Sequence, residues 1–523
     1  MEKKLYRFTL LLLVMIFFIS ACSSSGTEKT SDKEKNSDSA KELNIALTAA
    51  PPNMDPHLSV AAVTGQIAMN VFETLVAFDS NYEIHPSLAE SIDISEDGTT
   101  YTFPLRDVTF HDGEKLKSDD VIASLQRWGK LSPIGRSVMA DVTLESPDEN
   151  TVVINLERPS NTILFDLAYP TSQAAYIMPK KIIDQFGDDV ITEYIGTGPY
   201  QFTEWKPDQY IQVSKYNDYK NPSGEGNGLA GAKKISKDEL FFRFAQDTST
   251  RLNGLKSGQY DVAQSLPTDQ YESLKGNSDV TTTIVKPALY PVMVFDNVEG
   301  IFTNSTARHA VLAALDMDEI MLGSGGHEDF NRVDPGLIMQ EQSLWYSDAG
   351  KENYNQKDPE KAKKLLKEAG YDGEPITIIT TQDYDYMYNA ALVIQNQLTE
   401  IGMKVNLEVY DWPTLLAKRS DRASWDAYVS SLPMVAQPTQ SLFLDSRNGH
   451  PTSYNSDEMD ALLNKIRYAP THEEALAVWD EAQELYWNDI PLIKLGDYFQ
   501  FNASRKGLDV ENMFSIDIFW NIE

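Results

Sequence analysis

Apolar positions recur along most of the chain at spacings that name the elements they build. Tyr101, Phe103 and Leu105 alternate with smaller or polar residues from Thr100 to Leu105, the period of a half-buried strand. Ahead of it Ser95-Glu96-Asp97-Gly98 reads as a turn, because Asp-Gly tolerates the positive φ of a tight reversal. A second turn, His111-Asp112-Gly113, leads to Ser118. Ser118 is the expected N-cap of a helix with Asp119 and Asp120 in its first turn and Val121, Ile122, Leu125 and Trp128 along one face.

The same reading extends in both directions. Leu43 to Leu47 alternates as an opening strand, and Ile67, Val71 and Leu75 predict a helix over Gln66 to Leu75. The glycines of Gly196-Thr197-Gly198-Pro199-Tyr200 would permit a sharp turn into a strand at Tyr200-Gln201-Phe202. Thr306 to Ile320 predicts one helix. Lys357 to Gly370 predicts another, with Asp358 as cap, Pro359 in the first helical position, Ala362, Leu365, Leu366 and Ala369 as the apolar stripe, and Gly370 as the stop. A strand at Ile376 to Thr380, a helix at Ala391 to Ile401 and a strand over Val405, Leu407 and Val409 continue an αβ alternation. That alternation predicts a largely parallel sheet with helices packed on it.

The front of the chain departs from this pattern. Met1 to Ala21 has a basic start (Lys3, Lys4, Arg7) and an apolar run from Phe8 to Ile19, too short and wrongly flanked for a durable membrane span. It ends Ile19-Ser20-Ala21-Cys22, which reads as a lipoprotein signal peptide (residues 1–21) with Cys22 as the acylated N-terminus after cleavage. Residues 22–42 contain no large apolar side chain after Cys22 and would form a flexible tether.

Composition narrows the class. A chain of 523 residues exceeds one ordinary core, so two or more lobes are expected. A net charge of -33 argues against nucleic acid and against charge-driven attachment to anionic lipid. Cys22 is the single cysteine, so neither an internal disulfide nor a CxxC zinc site can form. HExxH, P-loop and GxSxG motifs are missing, and the seven histidines are scattered. Gly226-Asn227-Gly228-Leu229-Ala230-Gly231 satisfies G-x-G-x-x-G, yet it follows a polar turn and runs into Lys233-Lys234, so it reads as a surface loop. His111 with Asp112 and Glu114 could suggest a metal, but a turn with solvated acids is the simpler reading. No metal or cofactor is expected, and a secreted hydrolase with an unrecognised site is the enzymatic alternative.

As a string, Pro86 to Trp128 is more specific. Leu88-Ala89-Glu90-Ser91, Asp97-Gly98, Tyr101-Thr102-Phe103, Leu105-Arg106, Phe110-His111-Asp112-Gly113-Glu114 and Asp120-Val121 resemble the signature region of the family 5 extracellular solute-binding proteins, the receptors of peptide-type ABC importers. The likeness continues through Gly196 to Tyr200, Arg251 to Ala263, and the Arg308, Ala310, Leu315, Asp316 pattern. It implies an α/β two-lobe periplasmic-binding-protein fold, type II and cluster C-like, with an extra subdomain in lobe one. Lobe one would span 43–287 with the insertion, lobe two 288–491, and 492–523 would return to lobe one. The chain would cross between lobes near Pro287 and Pro491.

The resemblance implies a receptor and not an enzyme, capturing peptides or a peptide-like solute in the cleft and delivering them to a membrane permease with its ATPase subunits. An oligosaccharide, an opine or a metal chelate is the alternative cargo. The protein would be a monomer, lipid-anchored on the extracytoplasmic face of a bacterial membrane. Ala49, Ala50, Pro51 and Asn53 would line the cleft from lobe one. Trp412, Arg419, Trp425, Ser431, Met434, Pro438 and Tyr498 would line it from the other side, with Tyr384, Tyr386 and Tyr388 as further stacking candidates. In oligopeptide receptors of this family an aspartate four residues before a Pro-Thr pair holds the peptide's ammonium. Counted from Pro438-Thr439 that position is Met434, and no acid occurs between Asp426 and Asp445. Arg419 keeps the spacing of a carboxylate-binding arginine. The expected ligand therefore lacks an ordinary free N-terminus, unless Asp411 or Asp385 reaches the amine.

Overall fold

A sheet of twelve strands runs through the molecule and joins its two halves. The computed structural model describes residues 41–441, 443–446 and 454–522. Cys22, its leader and the tether through residue 40 lie outside the described residues, and Glu42, expected in the tether, already belongs to the first strand. Along the main path the strand order is Val405–Tyr410, Ile376–Thr381, Ala427–Pro433, Val280–Phe295, Asp497–Arg505, Val262–Ala263, Glu42–Leu47, Glu239–Phe244, Tyr210–Lys215 and Tyr200–Lys206.

Two strands carry the connection. The first part of Val280–Phe295 pairs antiparallel with Asp497–Arg505, Val280 opposite Arg505 and Val285 opposite Gln500. After a register shift between Val285 and Leu289 its second part pairs with Ala427–Pro433 on one side and Leu492–Lys494 on the other. Every other strand on the path belongs to one side of this shift. The returning chain is still beside Val292–Val294 at Lys494 and reaches Leu289 only at Tyr498, so it changes sides beyond Lys494, some residues later than Pro491.

The sheet is mixed where a largely parallel one was expected. Ile376–Thr381 is parallel to both Val405–Tyr410 and Ala427–Pro433, as βαβ alternation requires. The crossing strands and the Tyr200–Lys215 hairpin are antiparallel. A separate four-stranded antiparallel sheet, Asp93–Ile94, Thr100–Pro104, Thr151–Leu156 and Val142–Asp148, carries the signature region beside the helix Ser118–Leu131.

Several local expectations shift for physical reasons. Ser118 is the first helical residue: Asp120 accepts the Lys117 N–H at 2.9 Å, and Ser118 Oγ turns away to bond Asp148 O. The helix expected over Thr306 to Ile320 is two, Ser305–Ala314 and Met317–Gly325, because Asp316 accepts from the N–H groups of Asp318 and Glu319 and caps a new start. Pro359–Glu368 forms as read, with Asp358 Oδ1 on the Lys361 N–H and Gly370 at φ +82°. The next helix begins earlier than expected, at Asp385, and runs to Glu400.

Gly196 and Gly198 serve close approach and not a left-handed turn. A Cβ on Gly196 would stand 2.0 Å from Val71 O, and one on Gly198 2.6 Å from Asn70 O, at the end of the helix Ala62–Val71. His111 Nδ1 accepts the Gly196 N–H at 3.3 Å, so its proton sits on Nε2, which donates to Gly198 O at 3.0 Å. Burial pushes the His111 pKa down to about 4, while Lys181 pairs with Asp112 and Glu114. The turn is a neutral staple in the fold, with its acids already matched.

Candidate functional site

The loop after the first strand is fixed from below. Asp55 and Arg127 are fully buried and pair through both carboxylate oxygens, at 3.0 Å from Nη1 and 2.6 Å from Nη2. Asp55 also accepts the N–H groups of His57 and Ile191, and Arg127 donates onward to the carbonyls of Gly187 and Asp189. Desolvation opposes the Asp55 charge, but Arg127 outweighs it and holds the carboxyl below its usual range. The charge pair thus anchors the end of the segment whose other residues, Ala49, Ala50, Pro51 and Asn53, are half-buried or buried. Asn53 is held from the side, its carbonyl accepting from Thr64 Oγ1 at 2.8 Å.

Opposite elements build an aromatic wall. Tyr386 stacks on Tyr498 with centroids 4.5 Å apart and planes 20° from parallel, and its hydroxyl meets Ser431 Oγ at 2.9 Å. Tyr384 lies 6.0 Å from Tyr386 and meets Trp412 edge-on at 5.2 Å. Asp383 accepts the Trp412 N–H at 2.7 Å, which ties the two loops that carry these rings. Trp412, Ser431 and Tyr498 are therefore brought together, and Tyr384 and Tyr386 join them because the helix Asp385–Glu400 starts at the wall.

Trp425 sits elsewhere. Trp425 is only 4% exposed, donates Nε1–H to Lys418 O and packs edge-on against Tyr428, in the core of the second half. The Arg419 guanidinium lies 5.9 Å from the same Tyr428 ring, with Nε lacking a hydrogen-bond partner.

Met434 and Pro438 belong to a buried strip running to Gln440. Tyr169, from the first half, donates its hydroxyl to Met434 O at 3.2 Å, and Gln342 donates to Val435 O at 2.6 Å. Gln437 and Gln440 both donate to one oxygen of Asp166, at 3.0 and 2.8 Å. This acid arrives from a distant part of the chain; neither Asp411, which caps the helix Trp412–Lys418, nor any residue near Met434 supplies it. Burial pushes the Asp166 pKa up, against the pull of the two amides and of Arg467. Asp166, Tyr169, Gln342, Gln437 and Gln440 carried no signal in the sequence, because their meeting depends on separations of 93 to 274 residues.

Beside the crossing point lies a charged cluster. Lys494 and Asp497 are fully buried and pair at 2.6 Å, and Arg332 bonds Asp497 Oδ2 at 2.5 Å and both oxygens of Glu341 at 2.9 Å. Asp497 opens the returning strand, so the network pins the crossing itself. Among the described residues one group, Asp79, Glu83 and His85, has the spacing to hold a metal ion. Asp79 is already engaged there by the N–H groups of Asn81 and Glu83 and by Asn227.

Two halves on one sheet, joined by two adjacent strands and in contact through the strip from Met434 to Gln440, are the architecture of a two-lobe binding protein of the periplasmic type. The family model of the bacterial extracellular solute-binding proteins, family 5 Middle, matches residues 83–451, well over half the chain, and the chain belongs to that family. Among curated relatives it is 27% identical over 497 residues, covering 90% of this chain and 91% of the relative, to the "Probable peptide ABC transporter periplasmic-binding protein y4tO" of Sinorhizobium fredii. It is 26% identical over 491 residues, 90% and 91% of the two chains, to the glutathione-binding protein GsiB of Pectobacterium atrosepticum. Among solved structures, the binding protein AgaA from A. tumefacien R10, in complex with agropinic acid, superposes with a TM-score of 0.76 at 26% identity over 90% of this chain and 94% of that one. A dipeptide-binding protein from Pseudoalteromonas sp. SM9913 shares the fold, with a TM-score of 0.79 at 21% identity over 92% and 99% of the two chains.

Proposed function

We propose that this protein is the solute receptor of an ABC importer, closing its two lobes around a short peptide or peptide-like solute and presenting the closed form to a membrane permease. The observation that carries the reading is the strip from Ser431 to Gln440, which joins an aromatic wall at one end to first-half partners Asp166 and Tyr169 at the other. Such a strip offers ring faces for side chains and amide or backbone groups for a peptide's polar atoms. The lobes would pivot between Val285 and Leu289 and between Lys494 and Tyr498, with 43–287 and 288–491 as approximate lobe limits adjusted to that later return. Chemistry on the solute is no part of the role. Cys22 would carry the lipid that holds a monomer at the outer face of the cell membrane.

A second reading of the cargo has its own support. Met434, 2% exposed, stands where a peptide receptor of this family would place the acid for a free amine, and Asp166 is already committed to two glutamines. An N-blocked peptide or an opine-like amino-acid derivative suits such a strip better than a free ammonium, whose burial without a counter-charge would cost several kcal/mol. Calorimetry with a matched pair of peptides, free and N-acetylated, tests both readings. Binding of either establishes the receptor role, a stronger acetylated peptide supports the blocked cargo, and a much stronger free peptide refutes it.

A further inference from the structure

Three arginines line a cavity that shares no residue with the aromatic wall. It has a volume of about 360 Å³ and is lined by Arg136, Arg158 and Arg467 together with Ser137, Asp141 and Tyr468. The residues come from two stretches far apart in sequence: the helix Pro133–Met139 and the strands after it, and the end of the helix Asp457–Arg467.

The hydrogen bonds of Arg136 and Arg467 go to neutral acceptors, and Arg158 has a ring and one carboxylate at 3.7 Å. Arg136 donates to the carbonyls of Lys130 and Leu131 at 3.3 and 3.1 Å. Arg158 lies flat over the Tyr468 ring, 3.7 Å from its centroid. Arg467 is 6% exposed and donates Nη2–H to Ser137 Oγ at 2.9 Å, yet its buried Nε–H has no acceptor. One carboxylate faces the group. Asp141 lies 3.7 Å from Arg158 and also takes the Tyr468 hydroxyl at 2.8 Å. Asp166 is a further acid near Arg467, and both line a second hollow of about 20 Å³ that shares Asp141, Arg158, Arg467 and Tyr468 with the main cavity.

Among the residues that line this cavity three arginines face one carboxylate, in a chain whose net charge is -33. A buried N–H left without an acceptor is unfavourable, and the cavity that Arg467 helps to line has room for more than a bridging water. Guanidinium groups bind phosphate oxygens through charge-assisted hydrogen bonds, and several of them around one cavity suit a multiply charged oxyanion.

We propose that this cavity binds a phosphate-class oxyanion, either inorganic phosphate or the phosphoryl group of a small molecule, held by Arg136, Arg158 and Arg467. The anion would join the two stretches and so favour the arrangement in which they meet. The anion is distinct from the solute carried in the cleft.

Calorimetric titration of the full mature protein with inorganic phosphate and, separately, with glycerol 3-phosphate, at constant ionic strength set by chloride, tests it. Saturable binding of either is expected, phosphate alone pointing to the free ion and both pointing to a phosphoryl group. Arg136 and Arg158 have exposed side chains, so R136Q/R158Q should fold, which its melting temperature checks. It should bind about tenfold more weakly for each guanidinium removed. Asp141→Asn should bind more tightly, as a like charge leaves. Hydrogen exchange should show phosphate-dependent protection in 133–141 and 464–468. No saturable binding at millimolar concentrations, or equal affinity in wild type and R136Q/R158Q, overturns the proposal.

Discussion

Replacing Arg127 by Met removes one partner of a buried ion pair and leaves the other in place. Asp55 would keep the N–H groups of His57 and Ile191, while the carbonyls of Gly187 and Asp189 would lose their donors. With side-chain exposures of 2% and 0%, solvent cannot compensate, and breaking such a pair costs about 3–5 kcal/mol. With roughly 480 residues in the folded unit and about 2.1 cal/mol/K of unfolding entropy per residue, the melting entropy is about 1 kcal/mol/K. The melting temperature should therefore fall by roughly 3–5 °C if the unit melts as one, and by more if the first half melts alone. The loss should depend on pH. His57 Nδ1 lies 3.3 Å from Arg127 Nη1, and burial followed by that charge pushes its pKa down to about 4. In the wild type its depressed pKa contributes stability that is present above the unfolded value of 6.5 and lost as pH falls towards 4. Without Arg127, Asp55 raises the His57 pKa, and a proton on the ring then offsets the stranded carboxylate. Scanning calorimetry should show a smaller loss near about pH 5.5 than near about pH 8. The double variant with Asp55→Asn should lose less than the sum of the singles. A fall below about 1 °C, or equal losses at the two pH values, would refute the reasoning.

Asp497→Asn should lower the melting temperature through the same mechanism, leaving Lys494 with Asp334 at 3.8 Å as its remaining acid and Arg332 with Glu341 alone; an unchanged melting temperature would show that the network is dispensable to the crossing. Asp517 is buried among amide donors from Gln264 and Asn502, and burial pushes its pKa up to about 6. Its stabilising proton is fully present below the unfolded value of 3.8 and lost as pH rises through 6, so Asp517→Asn should gain relative to wild type across that window in pH-resolved thermal melts. Cys22→Ala should move the protein from the membrane fraction to the medium or periplasm on cell fractionation, and its retention in the membrane would end the lipid-anchor reading.

How much of this was legible in the chain depends on the range of the interaction involved. Pro359–Glu368 could be read nearly to the residue because its signals are local: a capping aspartate, a proline in the first turn, a stripe at helical spacing and a glycine stop. The break at Asp316 was equally local but was masked by apolar residues that continue at helical spacing across it. Trp425 and Trp412 look alike as tryptophans in one stretch, and only packing separates the first, buried against Tyr428, from the second, set at the edge of a tyrosine wall.

The sequence by itself determined the family, the alternation of strands and helices on each side and the signature turn. These rest on contacts between near neighbours and on side-chain periodicity, which a linear string preserves. Only the tertiary structure decided that the chain returns between halves beyond Lys494, that Gly196 and Gly198 are small because helix carbonyls press on them, and that Asp166 meets Gln437 and Gln440. The same holds for the three arginines around one cavity. Each of these depends on groups brought together by sheet order and helix packing across hundreds of residues, and nothing in the local spacing of a charged or amide side chain records which distant partner it will meet.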